Sequence, residues 1–449
     1  MSLIEQQREY GAFLDKLPLN SRHWTLFSVC AVAFAFDFMD FQIMALVAPS
    51  IAKEWQLTSQ TLGLVLSATA VGMLLGSYLF GIFADAVGRR VGFQITVGIF
   101  AVFSGLCALA QSVLQLAGLR FVTGLGIGGF VPIDTALMSE YMPARRRGQM
   151  LALWALFFPV GGLLAAGAGM WIVPNYGWRA LFLLGVLPAI MIFFVRLLIP
   201  ESPRYLLQRQ RIKEARESMS WIAKGQPLPT PKTAPHVDVP AKSTTRISIL
   251  TLFASGYRAR TLMITSVWFF WSFSFFGVLL WLPTLLVQLR GVPGTKVFTY
   301  IVGFQLAGIA GRILASFLID QIGRVMVIFI YGVAAMIALI IFGNQTSYMD
   351  LVVYGYIFSF FSDGGLSAIA PYTPELYPTR ARATGVGWAT GAGRIASILA
   401  PLAVGMLVPS GLSTVFLVLA SGYLLAAIAV IIFRVETKKL FLEDASMET

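Results

Sequence analysis

The sequence predicts an all-α membrane protein whose twelve transmembrane helices form two six-helix bundles. Three observations carry that prediction. Hydrophobic residues make up 57% of the 449 positions and charged ones only 12%, against about 25% charged in soluble domains, and mean hydropathy is +0.77. Twelve apolar runs have the length a bilayer demands, about 20 residues at 1.5 Å each. Basic residues collect in alternate connections between those runs. In a soluble chain a net charge of +12 would suggest nucleic acid; this distribution makes it a topology signal, so no nucleic-acid partner is expected.

The first half holds runs at 24–51, 60–84, 91–111, 114–139, 148–172 and 178–199. The stretch before them, "MSLIEQQREYGAFLDKLP", is polar and lacks a signal-type apolar core, so the first run is expected to act as its own insertion signal. Arg89 and Arg90 follow the second run, and Arg145, Arg146 and Arg147 the fourth. The second half holds runs at 260–287, 297–319, 325–342, 348–373, 383–408 and 412–434. Arg324 follows its second run, Arg380 and Arg382 its fourth, and Lys438 and Lys439 its last. The opposite loops, such as "GNQTSYMD" and "VPSG", are nearly free of basic residues. The excess of Lys and Arg on one side places both termini in the cytoplasm. Short loops and lean tails suit a bacterial, multi-pass inner-membrane protein.

Between the halves, 224–246 is rich in Pro, Thr and Lys and reads as a flexible linker beside a short amphipathic piece near 204–222. The expected division is 1–199 for the first bundle, 200–258 for the cytoplasmic linker and 259–449 for the second bundle with its tail. Cys30 and Cys107 lie inside apolar runs, which indicates no disulfide framework. His23 and His236 lie outside them, so neither a metal nor a histidine-based site is expected, and no cofactor. No nucleophile–base pair is present to suggest an enzyme.

The halves repeat. "GSYLFGIFADAVGRR" (76–90) aligns with "GRILASFLIDQIGRV" (311–325), matching Asp85 to Asp320, Gly88 to Gly323 and Arg89 to Arg324. "SEYMPARRRG" (139–148) aligns with "PELYPTRARATG" (374–385), matching Glu140 to Glu375. Both alignments share one offset of 235 residues. Repeated halves around a central site are a transporter architecture, in which one half rocks against the other.

Two aspartates stand in the first run, in "AFAFDFMDFQIM" (33–44). Asp37 lies roughly 20 Å along that helix, near the bilayer centre. An ionised side chain there costs about 2.5–3.5 kcal/mol on insertion scales, so both aspartates need a use or a partner. Arg120, in the fourth run ahead of Gly124, Gly126 and Gly128, is the nearest basic candidate. Residues three apart share a helix face, so Asp37 and Asp40 are expected to point together. Two such carboxylates resist double ionisation, which suits a proton-coupling site with Arg120 as counter-charge. The alternative is a permanent structural ion pair. In the second half, Arg394 and Asp363 are similarly deep. A guanidinium binds a carboxylate in bidentate fashion, so Arg394 is the candidate for a carboxylate substrate, with Asp363 as competing partner or static pair. Arg312 is read as a second anion site or an interfacial residue.

These motifs resemble the major facilitator superfamily. "GIFADAVGRR" looks like its loop 2–3 signature, on Gly81, Asp85, Gly88 and Arg89, and "RFVTGLGIGG" like its helix 4 signature. The resemblance implies that superfamily's fold, a monomer, and a cytoplasmic gate. Asp85 and Arg89, Glu140 with Arg145, and their counterparts Asp320, Gly323, Arg324 and Glu375 with Arg380 would form that gate. "PESPRYL" and "PELYPTRARATGVG" resemble the branch of sugar porters, aromatic-acid/proton symporters and niacin-type transporters. "FDFMD" is closer to the niacin-type transporters and the related synaptic vesicle glycoproteins than to the Asp-Gly-x-Asp of aromatic-acid symporters.

The repeat maps Asp37 onto Ser272 and Asp40 onto Phe275. That face of the seventh span includes Trp268, with Trp271 nearby, and the span carries no amide. An aromatic-lined cavity suits a flat ring, and Tyr356, Tyr372 and Trp388 add ring contacts. The leading expectation is a proton-coupled importer of a small aromatic monocarboxylate, nicotinate favoured by resemblance and a benzoate-type acid next. A sugar or polyol porter and a non-transporting binding protein remain as alternatives.

Overall fold

The computed structural model describes residues 3–229, 252–254, 256–433 and 435–437, with the side chains of 3–8, 289, 379, 380 and 383 excepted. Every regular element among them is helical. Helix α1 (Leu3–Lys16) lies in the polar start, tucking Tyr10 and Leu14 against the protein. The first half continues with α2 (Ser21–Glu54), α3 (Ser59–Val87), α4 (Arg89–Cys107), α5 (Val113–Tyr141), α6 (Ala144–Ala155), α7 (Phe157–Tyr176), α8 (Trp178–Phe182) and α9 (Ile190–Leu198). Two short helices, α10 (Pro203–Gln208) and α11 (Ile212–Ala223), occupy the amphipathic piece. Ser202 caps α10 by accepting from the Tyr205 N–H at 3.3 Å. The second half comprises α12 (Arg258–Thr284), α13 (Gly294–Ile322), α14 (Arg324–Asn344), α15 (Tyr348–Glu375), α16 (Thr379–Leu407) and α17 (Leu412–Phe433).

Among the described residues twelve segments are long and apolar enough to cross a membrane, with α6–α7 and α8–α9 each counting as one. The protein is a multi-pass membrane protein with the twelve spans expected. Two of those spans depart from the regular helices of the sequence reading, for backbone reasons. The fifth breaks at Leu156, whose N–H turns back to Leu153 at 3.2 Å. Pro159 has no N–H to offer the Ala155 carbonyl, so the α-ladder cannot run through. The sixth tightens into a 3₁₀ turn over Leu183–Ala189, which contains Pro188. The first span begins earlier than expected, at Ser21, and takes His23 into the helix at a fully buried position. Most of the 224–246 linker falls outside the described residues.

Two compact units emerge, and they do not follow the sequence halves. One comprises Met1–Asp40, Val71–Gly161 and Arg179–Lys242; the other comprises Phe41–Ala70, Gly162–Trp178 and Ser243–Thr449. The second unit therefore includes the far ends of α2, α3 and α7 together with α12–α17. Inside it, Phe41 of α2 meets Phe276 of α12 edge-on at 5.8 Å, and Ser67 of α3 donates to the Ile398 carbonyl of α16 at 2.9 Å. The division at Asp40/Phe41 falls inside the helix that carries the paired aspartates.

Candidate functional site

In the first unit the site is built on α2, α4 and α5. Arg120 and Asp40 are fully buried, and the guanidinium donates to Asp40 Oδ2 at 3.0 Å. A second N–H reaches the Asp40 main-chain oxygen at 3.4 Å, and Ser104 of α4 donates to Oδ1. Phe182 covers the guanidinium, its ring centre 5.8 Å away. Arg120 and Ser104 hold Asp40 inside the bundle, and Asp37, 4% exposed, is buried one turn earlier on α2. The three-residue step puts the two side chains about 60° apart around the helix, on one face.

A second buried pair lies in the other unit, between α13 and α15. Arg312 donates through Nε at 3.1 Å and Nη2 at 2.8 Å to Asp363 Oδ1. This corrects two expectations: Asp363 is the partner of Arg312 rather than Arg394, and Arg312 is buried rather than interfacial. Arg394 is half-buried on α16, next to Gly393. Gly393 allows α16 to approach α12, since a Cβ there would lie 2.8 Å from Ser272 Oγ and 3.1 Å from Trp268 Cε3. Thr265, Trp268 and Ser272 share one face of α12 by their spacing. Trp268 donates from Nε1 to Thr373 Oγ1 at 2.8 Å, and Trp388 from Nε1 to Thr265 Oγ1 at 3.0 Å. Trp268, Ser272, Trp388 and Arg394 therefore belong to one α12–α16 neighbourhood.

Other expected ring contacts are placed elsewhere. Trp271 is fully buried, donates to the Ser362 carbonyl at 3.1 Å and packs edge-on against Tyr423 at 5.1 Å, a helix-packing role. Tyr372 is equally buried and donates to the Val435 carbonyl near the chain's end. Tyr356 lies half-buried beside Tyr300, with 5.5 Å between ring centres. Phe275 is buried edge-on to Phe276 at 5.2 Å.

The repeated turns form matching clusters, one per unit. Arg89 pairs with Asp85 at 2.6 Å and Glu140 at 3.2 Å; Arg324 pairs with Asp320 at 3.5 Å and Glu375 at 3.1 Å. Glu140 is thus held by Arg89, while Arg145 is exposed, contrary to the expected Glu140–Arg145 pair. The Arg380 side chain lies outside the described residues. Gly81 faces open space. Gly88 and Gly323 turn the chain at φ 111° and 93°, which L side chains rarely adopt. Sequence reading missed the groups that satisfy the helices starting there. Glu201 accepts from the Arg89 and Arg90 N–H groups at 2.8 and 3.1 Å, and Glu436 from those of Arg324 and Val325, both at 3.1 Å. A carboxylate at a helix N-terminus satisfies orphan donors and complements the helix dipole. Glu201 and Glu436 are themselves separated by the same 235 residues, which was the available signal. Ser104 left no such trace.

Twelve spans, repeated Gly-Arg turns and intramembrane ion pairs define a secondary transporter of the major facilitator superfamily. The family described as "Sugar (and other) transporter" matches residues 21–448, and the chain belongs to it; this is a family of transporters rather than enzymes. The niacin transporter NiaP of Acinetobacter baylyi is 34% identical over 97% of this chain and 99% of its own length. A gallate transporter of Pseudomonas putida is 30% identical over 93% of each chain. The xylose transporter XylE from E. coli, in a partially occluded inward-open conformation, shares the fold with a TM-score of 0.76 at 18% identity, over 93% of this chain and 99% of that one.

Removing one member of a buried ion pair strands its partner, at a cost of about 3–5 kcal/mol. Arg120→Gln is expected to lower the thermal unfolding temperature in detergent sharply, and adding Asp40→Asn to recover most of the loss. Additive losses in the double variant would contradict the pairing. Glu201→Gln and Glu436→Gln should each cost about 1 kcal/mol, and by similar amounts, in the same measurement.

Proposed function

We propose that this protein imports a small aromatic monocarboxylate, nicotinate favoured, together with a proton. The observation that carries the proposal is the buried Asp40–Arg120 pair one turn from Asp37, an ionisable constellation with no reason to persist in a bilayer unless it is used. In this reading Asp37 and Asp40 handle the proton and Arg120 sets their charge balance. Arg394 takes the substrate carboxylate, and Trp268 and Trp388 flank the ring beside Ser272. The names of the relatives, niacin and gallate transporters, support an aromatic acid. The termini are cytoplasmic, by the distribution of arginines and lysines, and the membrane is the bacterial inner membrane. The halves 1–199 and 259–449 rock around the site, and the Arg89 and Arg324 clusters gate its cytoplasmic end. The protein works as a monomer.

One observation favours a second reading, a polyol substrate. Gln42 and Gln305 are buried, and both amide atoms of Gln42 and Nε2 of Gln305 have no hydrogen-bond partner. Buried amides of this kind suit hydroxyl groups.

Competition for labelled nicotinate uptake by unlabelled nicotinate, benzoate, gallate, xylose and glucose separates the two readings. The aromatic acids are expected to compete and the sugars to be silent; the reverse would overturn the aromatic-acid proposal. Arg394→Ala should raise KM roughly 10–100-fold, the equivalent of about 1.5–3 kcal/mol of charge-assisted hydrogen bonding. Asp37→Asn should abolish accumulation driven by a pH gradient while leaving exchange measurable. Accumulation at the parent level would remove Asp37 from the proton pathway.

A further inference from the structure

The reading above leaves a second carboxyl in the first unit without a task. Asp134 lies on α5, 14 residues beyond Arg120, or about 21 Å along the helix toward the end that carries the termini. It is fully buried. Trp154 donates from Nε1 to its Oδ2 at 2.8 Å, and the buried Cys30 thiol of α2 lies beside it. Oδ1 has no hydrogen-bond partner.

No basic side chain faces this carboxyl among the described residues. From α2 it meets Cys30; His23 and Asp37 lie two turns to either side on the same face. On α5 itself, Glu140 and Tyr141 are about two turns further on, with Glu140 engaged by Arg89. The buried face of α4 offers Gly92, Phe93, Thr96 and Val97. On α6, Arg147 is two turns before Trp154 and pairs with Asp15 at 2.6 Å. Burying a carboxylate with no cation costs several kcal/mol, whereas the neutral acid is far cheaper. The Trp154 N–H bond favours the charged form. Trp154 also stands at the Pro159 break of the fifth span. It stacks on Phe34 at 3.7 Å, and beyond the break Phe158 stacks on Phe38 at 3.5 Å. A movement that bends this span alters the hydrogen bond that favours the ionised form of Asp134.

We propose that Asp134 is a second proton-binding site of the transport cycle, loaded from the Asp37 side of α2 and emptied toward His23, with Trp154 setting its occupancy. The proposal rests on the proton-coupled reading above. The transfer is a plain acid–base exchange relayed by water across the two turns between them: Asp37 loses its proton to water, the Asp134 carboxylate takes one up from water, and Asp134 releases it to water at the end bearing the termini. His23 stands on that exit path. Its Nδ1 accepts from the Asn20 N–H at 3.3 Å, so in the neutral ring Nε2 carries the hydrogen, beside the Tyr141 main chain.

The test uses the full chain in proteoliposomes, with labelled nicotinate as probe. Asp134→Asn keeps a hydrogen-bond acceptor for Trp154 but cannot take up a proton. It is expected to retain measurable counterflow and to lose at least about tenfold of the accumulation driven by a pH gradient. Trp154→Phe removes the donor that favours the carboxylate, so the midpoint of the uptake-versus-pH profile should move to higher pH. This second variant keeps the proposal falsifiable where Asp134→Asn does not fold. Parent-level accumulation in Asp134→Asn, or an unmoved profile in Trp154→Phe, would overturn the second site while leaving proton coupling intact. A parent protein whose accumulation ignores the pH gradient would overturn the coupled reading itself, and this site with it.

Discussion

The low dielectric of the bilayer interior is the constraint on which this structure depends. Charges survive there in pairs with their hydrogen bonds met, and the Arg120–Asp40 contact is the clearest case. It draws together α2, α4 and α5, because Ser104 bonds the same carboxylate and the guanidinium also reaches the Asp40 backbone. The Arg312–Asp363 pair does the same for α13 and α15. Such pairs add little net stability relative to apolar packing, yet breaking one is costly. That asymmetry makes them suited to a switch, since protonating the acid changes the balance without moving a heavy atom.

The molecule is symmetric at its Gly-Arg turns and asymmetric in its interior charges. The turns, their arginines, their carboxylate partners and the capping glutamates all recur at an offset of 235 residues. The intramembrane pairs do not. The repeat places Gly355 opposite Arg120 and Phe275 opposite Asp40, and Ser77 and Gly128 opposite Arg312 and Asp363. The two halves therefore share the chemistry of their turns and differ in their interior charges. This division fits the proposal that the first half handles protons and the second the substrate.

Much of this was legible in the sequence, because the bilayer imposes long apolar runs and makes every interior charge conspicuous. The twelve spans and the pairing of Arg120 with an α2 aspartate followed from those two facts, and the repeat from motifs aligned at one offset. Partner choice was less legible. Asp363 has Arg312 and Arg394 both within its half, and only the helix packing decides between them. Trp271 and Tyr372 read as possible ring contacts because composition does not report which way an aromatic residue faces. The breaks near Pro159 and Pro188 were readable from proline chemistry, and Glu201 and Glu436 from the repeat offset. Asp134 was open to the same cost argument as Asp37. Ser104 and the α12–α16 approach at Gly393 carried no signal, since a serine or glycine in an apolar run is unremarkable.

The most direct test of the account is the pH of a lightly buffered suspension of proteoliposomes when nicotinate is added without any imposed gradient. The account predicts that the medium turns alkaline in step with nicotinate uptake, and that a protonophore collapses the signal. Nicotinate entry with no accompanying pH change would contradict it.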